Sequence, residues 1–450
     1  MESAITPKSY FKNPPRKHRK CFPLQVLFIG LLLQQAISGN STNSTTPSFF
    51  GFFSYADELC ALVLFFIFCW KFINGFRLTR EENRILLLFF GMVGLGLISN
   101  AFSGLQPLRY VLVDVFTCGR FIFAYLGIRS LHSGRVSDNF LYDNFNGIAK
   151  LFAVVCFVLM LHDYFFQPFF PLTDFRYFAF STRLFYSHPT FLANSCIILI
   201  CLLTVSFQKD RSNLFYVCLL ATVTVMTLRT KAIGFVVLFF LLLFSFRVLQ
   251  VRSKFFLFLP IVLGGFCVGW KQIQYYYFAH LDFARSVMAR DCLKLANRFF
   301  PLGTGFATYG SYMATVHYSP LYQTLGYDNV YGLSSQSPYF LSDTFWPIIT
   351  AQFGYFGLIL FLLIVITFFQ IAFRFQKHDP YRFVALISIL IYMLISSSSE
   401  SSFFNPFSVL YFLVFGLLVG QKSESQYPVK IPRGCPSKYI KQPLGMRGGA

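Results

Sequence analysis

The sequence predicts an all-α integral membrane protein that crosses the bilayer about twelve times. Only 12% of the 450 residues are charged and 55% are hydrophobic, whereas a soluble domain carries about 25% charged residues. Apolar runs of about 18–22 residues recur along the chain, which is the length that a helix needs to cross the hydrocarbon core. The 62 phenylalanines and 25 tyrosines suit surfaces that face lipid and the membrane interface.

The first apolar run, 22–37, follows a basic stretch and admits two interpretations. Ala36 and Ser38 resemble the small-residue cleavage site of a signal peptide. We interpret the run as an uncleaved first helix, because this makes the topology of the whole chain self-consistent. The further predicted spans lie at about 55–75, 85–103, 110–128, 147–162, 188–207, 214–228, 232–246, 255–270, 346–368, 383–395 and 407–420.

The positive-inside rule orients these spans, with both ends of the chain in the cytoplasm. The segments assigned to the cytoplasm carry many cations: Arg77, Arg80, Arg84, Arg129, Arg135, Lys150, Lys209, Arg211, Arg247, Arg252, Lys254, Arg374, Lys377 and Arg382. Both basic tails add to this side, and we expect the tail 421–450 to be disordered and to touch anionic lipid at most. This distribution accounts for most of the net charge of +20 without nucleic acid as a partner.

One polar, tyrosine-rich loop, 271–345, interrupts the apolar pattern and falls on the outer face. We therefore treat 1–450 as a single membrane domain with one large external loop, and long loops of this kind usually carry function. Arg290, Lys294 and Arg298 are spaced by four, so a helix would place them on one face with Arg285 nearer its edge. The loose glycine pattern at 301–310 follows no strand, so it does not indicate nucleotide binding.

Cations in the external turns are exceptions to the topology, so we consider them for function. Arg229 and Lys231 lie between two apolar runs at the outer boundary. They are either interfacial residues that reach towards water or a clamp for phosphate, since a guanidinium binds phosphate oxygens bidentately and stays charged. Arg183 and His188 precede another span, where the histidine also has the simpler interpretation of a local hydrogen bond at a helix start.

Three carboxylates at span edges complete the set of candidate residues. Asp343 stands at the outer mouth of a span, where it either caps the helix or accepts a proton from a hydroxyl. Asp57 and Glu58 begin the second span, and we expect them to pair with an external arginine because charges at a span edge are costly alone.

Together these stretches resemble the O-antigen and capsule polysaccharide polymerase family (Wzy-type), which is related to the O-antigen ligases. Arg183-Leu-Phe-Tyr-Ser-His188-Pro189 is similar to the family pattern R-x-x-G-x-F-x-H-P-N, without its glycine and asparagine. Leu228-Arg229-Thr230-Lys231 resembles the S-R-[ST] mark that follows the next span. Asp343 stands where ligases carry a histidine, Gly354 and Gly357 fall in register after it, and Gln352 replaces the usual glutamate.

The resemblance implies a GT-C-like glycosyltransferase in the bacterial inner membrane with a periplasmic active site. It would transfer a growing glycan from undecaprenyl diphosphate to the terminal sugar of a lipid-linked repeat, for lipopolysaccharide or capsule. The implied catalytic residues are Arg229, Arg183 and Asp343, and the substrate-binding residues are Lys231, Arg285, Arg290, Lys294, Arg298 and His188. We expect no metal or other cofactor, because cations can hold the leaving diphosphate. The implied partners are the chain-length regulator and the flippase of the same pathway.

Three other functions compete with the polymerase. An O-antigen ligase would transfer the glycan to lipid A-core, although the aspartate at position 343 favours a polymerase. A flippase for the lipid-linked repeat would have short external loops and charges inside the bundle, which the loop 271–345 argues against. A membrane scaffold without activity would leave the external arginines unexplained.

Overall fold

Helices form nearly all of the regular structure. The computed structural model describes residues 21–37, 53–132, 138–177, 179–247 and 283–420, together with the single positions Trp270 and Gln274. The helices of these ranges are α1 Phe22–Ile37, α2 Ala56–Ile73, α3 Arg80–Ser103, α4 Leu108–Leu131, α5 Asp138–Leu141, α6 Gly147–Phe165, α7 Pro189–Val205, α8 Asn213–Met226, α9 Thr230–Arg247, α10 Ala284–Arg298, α11 Tyr312–Val316, α12 Pro320–Thr324, α13 Trp346–Phe373, α14 Pro380–Ser396 and α15 Pro406–Gly420.

Short elements of three kinds complete the secondary structure of the described ranges. A π-helical turn, Tyr142–Asn146, joins α5 to α6. Single 3-10 turns occupy Phe53–Tyr55 and Tyr327–Asn329. A two-stranded antiparallel ribbon pairs β1 Phe175–Arg176 with β2 Ala179–Phe180.

In the described part of the chain, four helical stretches are long and apolar enough to cross a membrane: α3, α4, the run Tyr142–Phe165 and α13. Large apolar side chains on their outer faces are exposed, including Leu87 and Phe90, as expected for surfaces that face lipid. The structure therefore supports an all-α membrane protein. Helices also occur at the other predicted spans except 255–270, which lies outside the described residues apart from Trp270. The count of about twelve crossings stays a prediction.

Polar contacts group the helix ends into two sets. At one end, which we name the basic end, Lys150 lies 2.6 Å from Asp210 and Arg129 lies 3.2 Å from Glu82. The contact of Arg374 with Glu81 joins the start of α3 to the end of α13 at the same place. Several cations that the sequence assigned to one side of the membrane therefore lie together in space.

The opposite end, which we name the loop end, carries the folded part of the long loop, 283–345. Helix α10 packs against α13, and a small separate core forms beneath it. Tyr309 is fully buried there, and its hydroxyl contacts Tyr327 at 2.7 Å and the Met288 carbonyl at 2.8 Å. Some tyrosines of the loop are therefore core residues rather than part of an open surface. The predicted loop residues 271–282 lie outside the described ranges except Gln274.

The segment 301–310 enters the bundle and packs against a break in α13. Gly354 interrupts this helix with φ +63°, a backbone conformation that favours glycine. Beside the break, Thr304 N donates to the Ala351 carbonyl at 2.9 Å and Gly305 N donates to the Gln352 carbonyl at 2.8 Å. From α4, the buried Asp114 carboxylate accepts from Ala307 N at 2.6 Å. Gly303 thus allows a close approach of two backbones, because a Cβ there would lie 2.5 Å from Gly354 N.

Candidate functional site

Charged side chains from four separate segments meet at the loop end. The segments are the connection 166–188, the turn before α9, the long loop and the turn between α14 and α15. We name this group the cationic cluster; it comprises Arg176, Arg183, Arg229, Lys231 and Arg285 with Asp174, Asp343, Glu400 and His188. Its five basic side chains face three carboxylates, so the cluster has positive charge to offer an anion.

Arg229 is presented by a tight turn between α8 and α9. Leu228 adopts φ +51° after α8 ends at Met226, and α9 begins at Thr230. Arg229 is 11% exposed, and its Nη2 lies 3.4 Å from Asp174 Oδ2. Desolvation raises the pKa of Asp174, but the charges of Arg229 and Arg176 outweigh this effect, and the pKa is lowered overall. The aspartate therefore stays ionised and holds both guanidinium groups at the surface.

Lys231, in the first turn of α9, is paired with Glu400. The Lys231 Nζ lies 2.9 Å from Glu400 Oε1 and 3.2 Å from Ser396 Oγ, and the lysine is almost fully buried. The Ser396 hydroxyl also donates to Glu400. Sequence reasoning missed Glu400. Its available signal was that it is a single carboxylate in a serine-rich turn between two apolar helices.

Asp343 pairs with Arg285 and does not cap a helix. Arg285 Nη2 lies 3.0 Å from Asp343 Oδ2, which connects the start of α10 to the end of the long loop. The helix that follows begins at Trp346 with Phe345 as its N-cap residue and no side-chain cap, so the interpretation of Asp343 as a cap is wrong. Desolvation raises the pKa of Asp343, with a further contribution from Glu400, while the charge of Arg285 opposes the shift.

His188 is the N-cap residue of α7. Its Nδ1 accepts from Thr190 N at 3.2 Å, which confirms the local hydrogen bond considered from the sequence. Desolvation, with the charges of Arg229 and Lys231, lowers the pKa of His188 to about 4. The ring is therefore neutral near pH 7, and its remaining proton lies on Nε2. His188 can donate a hydrogen bond within the cluster but adds no charge.

Arg183 and the cations of α10 differ from the rest of the predicted site. Arg183 donates to the carbonyl oxygens of Pro171 at 3.3 Å and Ser187 at 3.2 Å, so it closes its own loop beside His188. Arg290, Lys294 and Arg298 lie on an exposed face of α10, as their spacing predicted. Lys294 pairs with Asp291 of the same helix at 2.8 Å. None of the described contacts joins these three cations to the cluster.

Asp57 and Glu58 do not pair with an external arginine, so that prediction is wrong. Their partner is Arg120, in the middle of α4, with Nη1 at 2.7 Å from Asp57 Oδ2 and 3.4 Å from Glu58 Oε1. Arg120 also donates to the carbonyl oxygen of Phe404. This buried ion pair therefore supports the turn that carries Glu400. Arg120 had no signal in the sequence beyond being a charge inside an apolar run.

A scan against models of known protein families finds no match for this chain, and a search of curated protein sequences finds no relative. The polymerase family thus remains a resemblance based on the residues quoted above. Gly354, one of those residues, occupies the helix break at the loop end. Gln352, at the position of a usual glutamate, is buried and donates to the Tyr309 carbonyl at 3.1 Å.

The cluster combines two chemical capacities. Arg229, Lys231 and Arg285 can exchange a carboxylate partner for phosphate oxygens, which accept charge-assisted hydrogen bonds from the same donors. Asp343 has the raised pKa of a more basic carboxylate, suited to taking a proton from a hydroxyl. Within the described ranges, no three histidine, cysteine, aspartate or glutamate side chains are placed to hold a metal ion together.

Proposed function

We propose that this protein is a surface-polysaccharide polymerase, which joins two glycans that are each carried on a lipid diphosphate. One observation carries the proposal. Arg229 and Lys231, from one turn, are far from Arg285 in sequence, yet all three share one cluster with Asp343 at one end of an apolar helical bundle. A diphosphate attached to a membrane lipid presents its charge at the membrane surface, where this end of the bundle would lie.

In the proposed reaction, the hydroxyl of a lipid-linked repeat attacks the anomeric carbon of the growing glycan. A bond forms between that carbon and the hydroxyl oxygen, and the bond from the carbon to the diphosphate oxygen breaks. Arg229 and Lys231 hold the charge that develops on the leaving diphosphate. The proton of the hydroxyl passes to Asp343, which is held by Arg285 through its Oδ2.

The remaining residues have supporting roles in this proposal. His188 donates from Nε2 to a phosphate or sugar oxygen, because its Nδ1 is already occupied by Thr190. Glu400 neutralises Lys231 when the site is empty. Arg183 maintains the loop beside them rather than holding the diphosphate directly. The exposed cations of α10 would meet the glycan or a partner protein further from the reacting atoms.

We further propose a topology for the chain. The chain would cross the bacterial inner membrane about twelve times, with its termini in the cytoplasm and the cationic cluster facing the periplasm. Its substrates would be undecaprenyl-diphosphate-linked oligosaccharides, and it would act beside the flippase and the chain-length regulator of that pathway. The excess of cations in the sequence segments on one side of the predicted spans supports this orientation, because positive loops remain in the cytoplasm.

The deciding experiment is an electrophoretic profile of surface polysaccharide from a strain that lacks this chain. We expect lipid A-core that bears a single repeat, with no ladder above it, because export and ligation continue without polymerisation. Core without any repeat would overturn the proposal. Lipid-linked polymer on the outer face would then indicate a ligase, and its absence would indicate a flippase. For a capsule, the expected result is single exported repeats without polymer.

A further inference from the structure

A cluster of exposed aromatic side chains adjoins the cationic cluster. It occupies the described residues 165–177, 179 and 180, which we name the aromatic hairpin, and comprises Phe165, Phe166, Phe169, Phe175, Tyr177 and Phe180. Each of these side chains is at least about half exposed, from 49% for Phe180 to 77% for Phe165. Exposed apolar patches of this kind mark surfaces that meet another apolar phase or a partner.

The hairpin has a defined structure. Its base rests on α6, where the ring of His162 stacks on Phe169 with centroids 4.0 Å apart and Asp163 Oδ1 accepts from Phe169 N at 2.9 Å. At its tip, β1 and β2 pair, and the rings of Phe175 and Phe180 meet edge to face at 5.1 Å. These contacts hold the exposed rings in place, so their exposure is a property of the fold.

Two polar contacts attach the hairpin to the turn before α9. The Tyr177 hydroxyl lies 2.8 Å from Thr230 Oγ1, and Thr230 stands between Arg229 and Lys231 in the sequence. Asp174, just before β1, pairs with Arg229 at 3.4 Å. The aromatic hairpin therefore directly adjoins the turn that carries Arg229 and Lys231.

We propose that the aromatic hairpin binds the polyprenyl chain of the lipid-diphosphate donor. This inference rests on the proposed function and identifies where the substrate's tail lies. A lipid diphosphate is anionic at its head and apolar along its chain, and the cluster and hairpin present the complementary surfaces in the same order. With the diphosphate on Arg229, the first isoprene units reach Phe175, Tyr177 and Phe180. Tail contact would add affinity for the donor without touching the reacting atoms.

The test compares donors that differ only in chain length, with the purified full chain in lipid nanodiscs. The double variant Phe175→Ser/Phe180→Ser should raise KM at least about tenfold for a long-chain donor and leave kcat unchanged. KM for a donor with two isoprene units should stay the same. The conservative double variant Phe175→Leu/Phe180→Leu should retain the preference for the long chain. Equal effects on both donors, or no effect on the long-chain donor, would overturn the inference.

The matched control is Phe102→Ser. Phe102 lies in the last turn of α3, at the same end of the bundle, and is 83% exposed. Its substitution therefore measures the effect of losing any exposed ring at the interface. We expect no change with either donor. A tenfold rise in KM from Phe102→Ser would show that general anchoring in the membrane, not a tail site, explains the effect.

Binding of sugar-free polyprenyl diphosphate separates this inference from the proposed function. The native chain should bind the long-chain diphosphate more tightly than the short one, and the serine double variant should lose that difference. If this holds while the native chain transfers no glycan, the tail site stands and the polymerase assignment falls. If glycan transfer occurs but binding is independent of chain length in the native chain, the tail site alone is wrong.

Discussion

The Nζ of Lys231 lies 2.9 Å from Oε1 of Glu400, and this ion pair joins the start of α9 to the turn between α14 and α15. Lys231 is only 8% exposed, so its charge depends on a partner. The pair also brings Glu400 within electrostatic influence of Asp343. One ion pair thus positions the deep cation of the cluster and links the last two helices to it.

Glu400→Gln should destabilise the protein by about 2 kcal/mol, because it leaves Lys231 buried without a counter-charge. Adding Lys231→Met should recover much of that loss, since the double variant buries no charge. Thermal unfolding of the four proteins in detergent measures the coupling. Strictly additive effects of the two substitutions would contradict the pairing.

Arg229→Ala should abolish chain extension while the protein remains in the membrane. Arg229→Lys should retain a charge but lose the bidentate geometry, so we expect transfer to fall roughly 10- to 100-fold. Polymer length on gels and initial transfer rates with purified protein give these values. The matched control is Arg109→Ala at the exposed start of α4, which should change the rate less than about twofold. A loss with Arg109→Ala as large as that with Arg229→Ala would contradict the assignment of the site.

The rate of transfer should rise with pH through the ionisation of Asp343, because the carboxylate form accepts the proton. Desolvation raises the pKa of Asp343 and Arg285 opposes that shift, so Arg285→Met should raise it further. The acid limb of the kcat/KM profile would then move to higher pH, and Asp343→Asn should remove the limb together with most activity. His188, with a pKa near 4, should not contribute to a limb near neutral pH. An acid limb unchanged in Arg285→Met would exclude Asp343 as the proton acceptor.

Much of the fold followed from local signals. The apolar runs predicted helices at nearly the observed positions. Each run is long enough to indicate a helix without information from the rest of the chain. The spacing of four predicted that Arg290, Lys294 and Arg298 would share one face of a helix, and the structure adds that α10 is helical there and that this face is exposed. Pattern could not show that the segment 301–310 enters the bundle, since this depends on the break at Gly354 in a distant helix.

The sequence predicted which residues belong to the candidate site better than it predicted which ion pairs they form. Topology selected Arg229, Lys231, Arg285 and Asp343 as external residues, and the structure brings them together. The partner of each depends on tertiary packing. Sequence therefore gave no reason to join Arg285 to Asp343, and none to include Glu400.

The buried pair of Arg120 and Asp57 should be the most sensitive charge interaction in α4. Both side chains are at most 4% exposed, so Asp57→Asn should destabilise the protein by roughly 3 kcal/mol. Transfer should also fall, because Arg120 supports the Phe404 carbonyl and with it the turn of Glu400. Unfolding temperatures and transfer rates in the same detergent test both effects. Arg109→Ala, at the exposed start of the same helix, is the control and should leave stability within about 0.5 kcal/mol. A stable, active Asp57→Asn protein would refute this role for the pair.

Gly354→Ala should detach the segment 301–310 from the break in α13. A Cβ at this position would lie 2.9 Å from the Pro301 carbonyl oxygen, and φ +63° is itself unfavourable for alanine. We expect a loss of about 2–3 kcal/mol and faster proteolysis within the loop 283–345, since the hydrogen bonds of Thr304 and Gly305 to α13 weaken with it. Gly94→Ala in α3 is the matched control, because its Cβ would meet no atom within 4 Å. That change should leave the loop resistant and stabilise the helix slightly, by up to about 1 kcal/mol. Equal protease resistance of the two variants would show that the loop is held independently of the helix break.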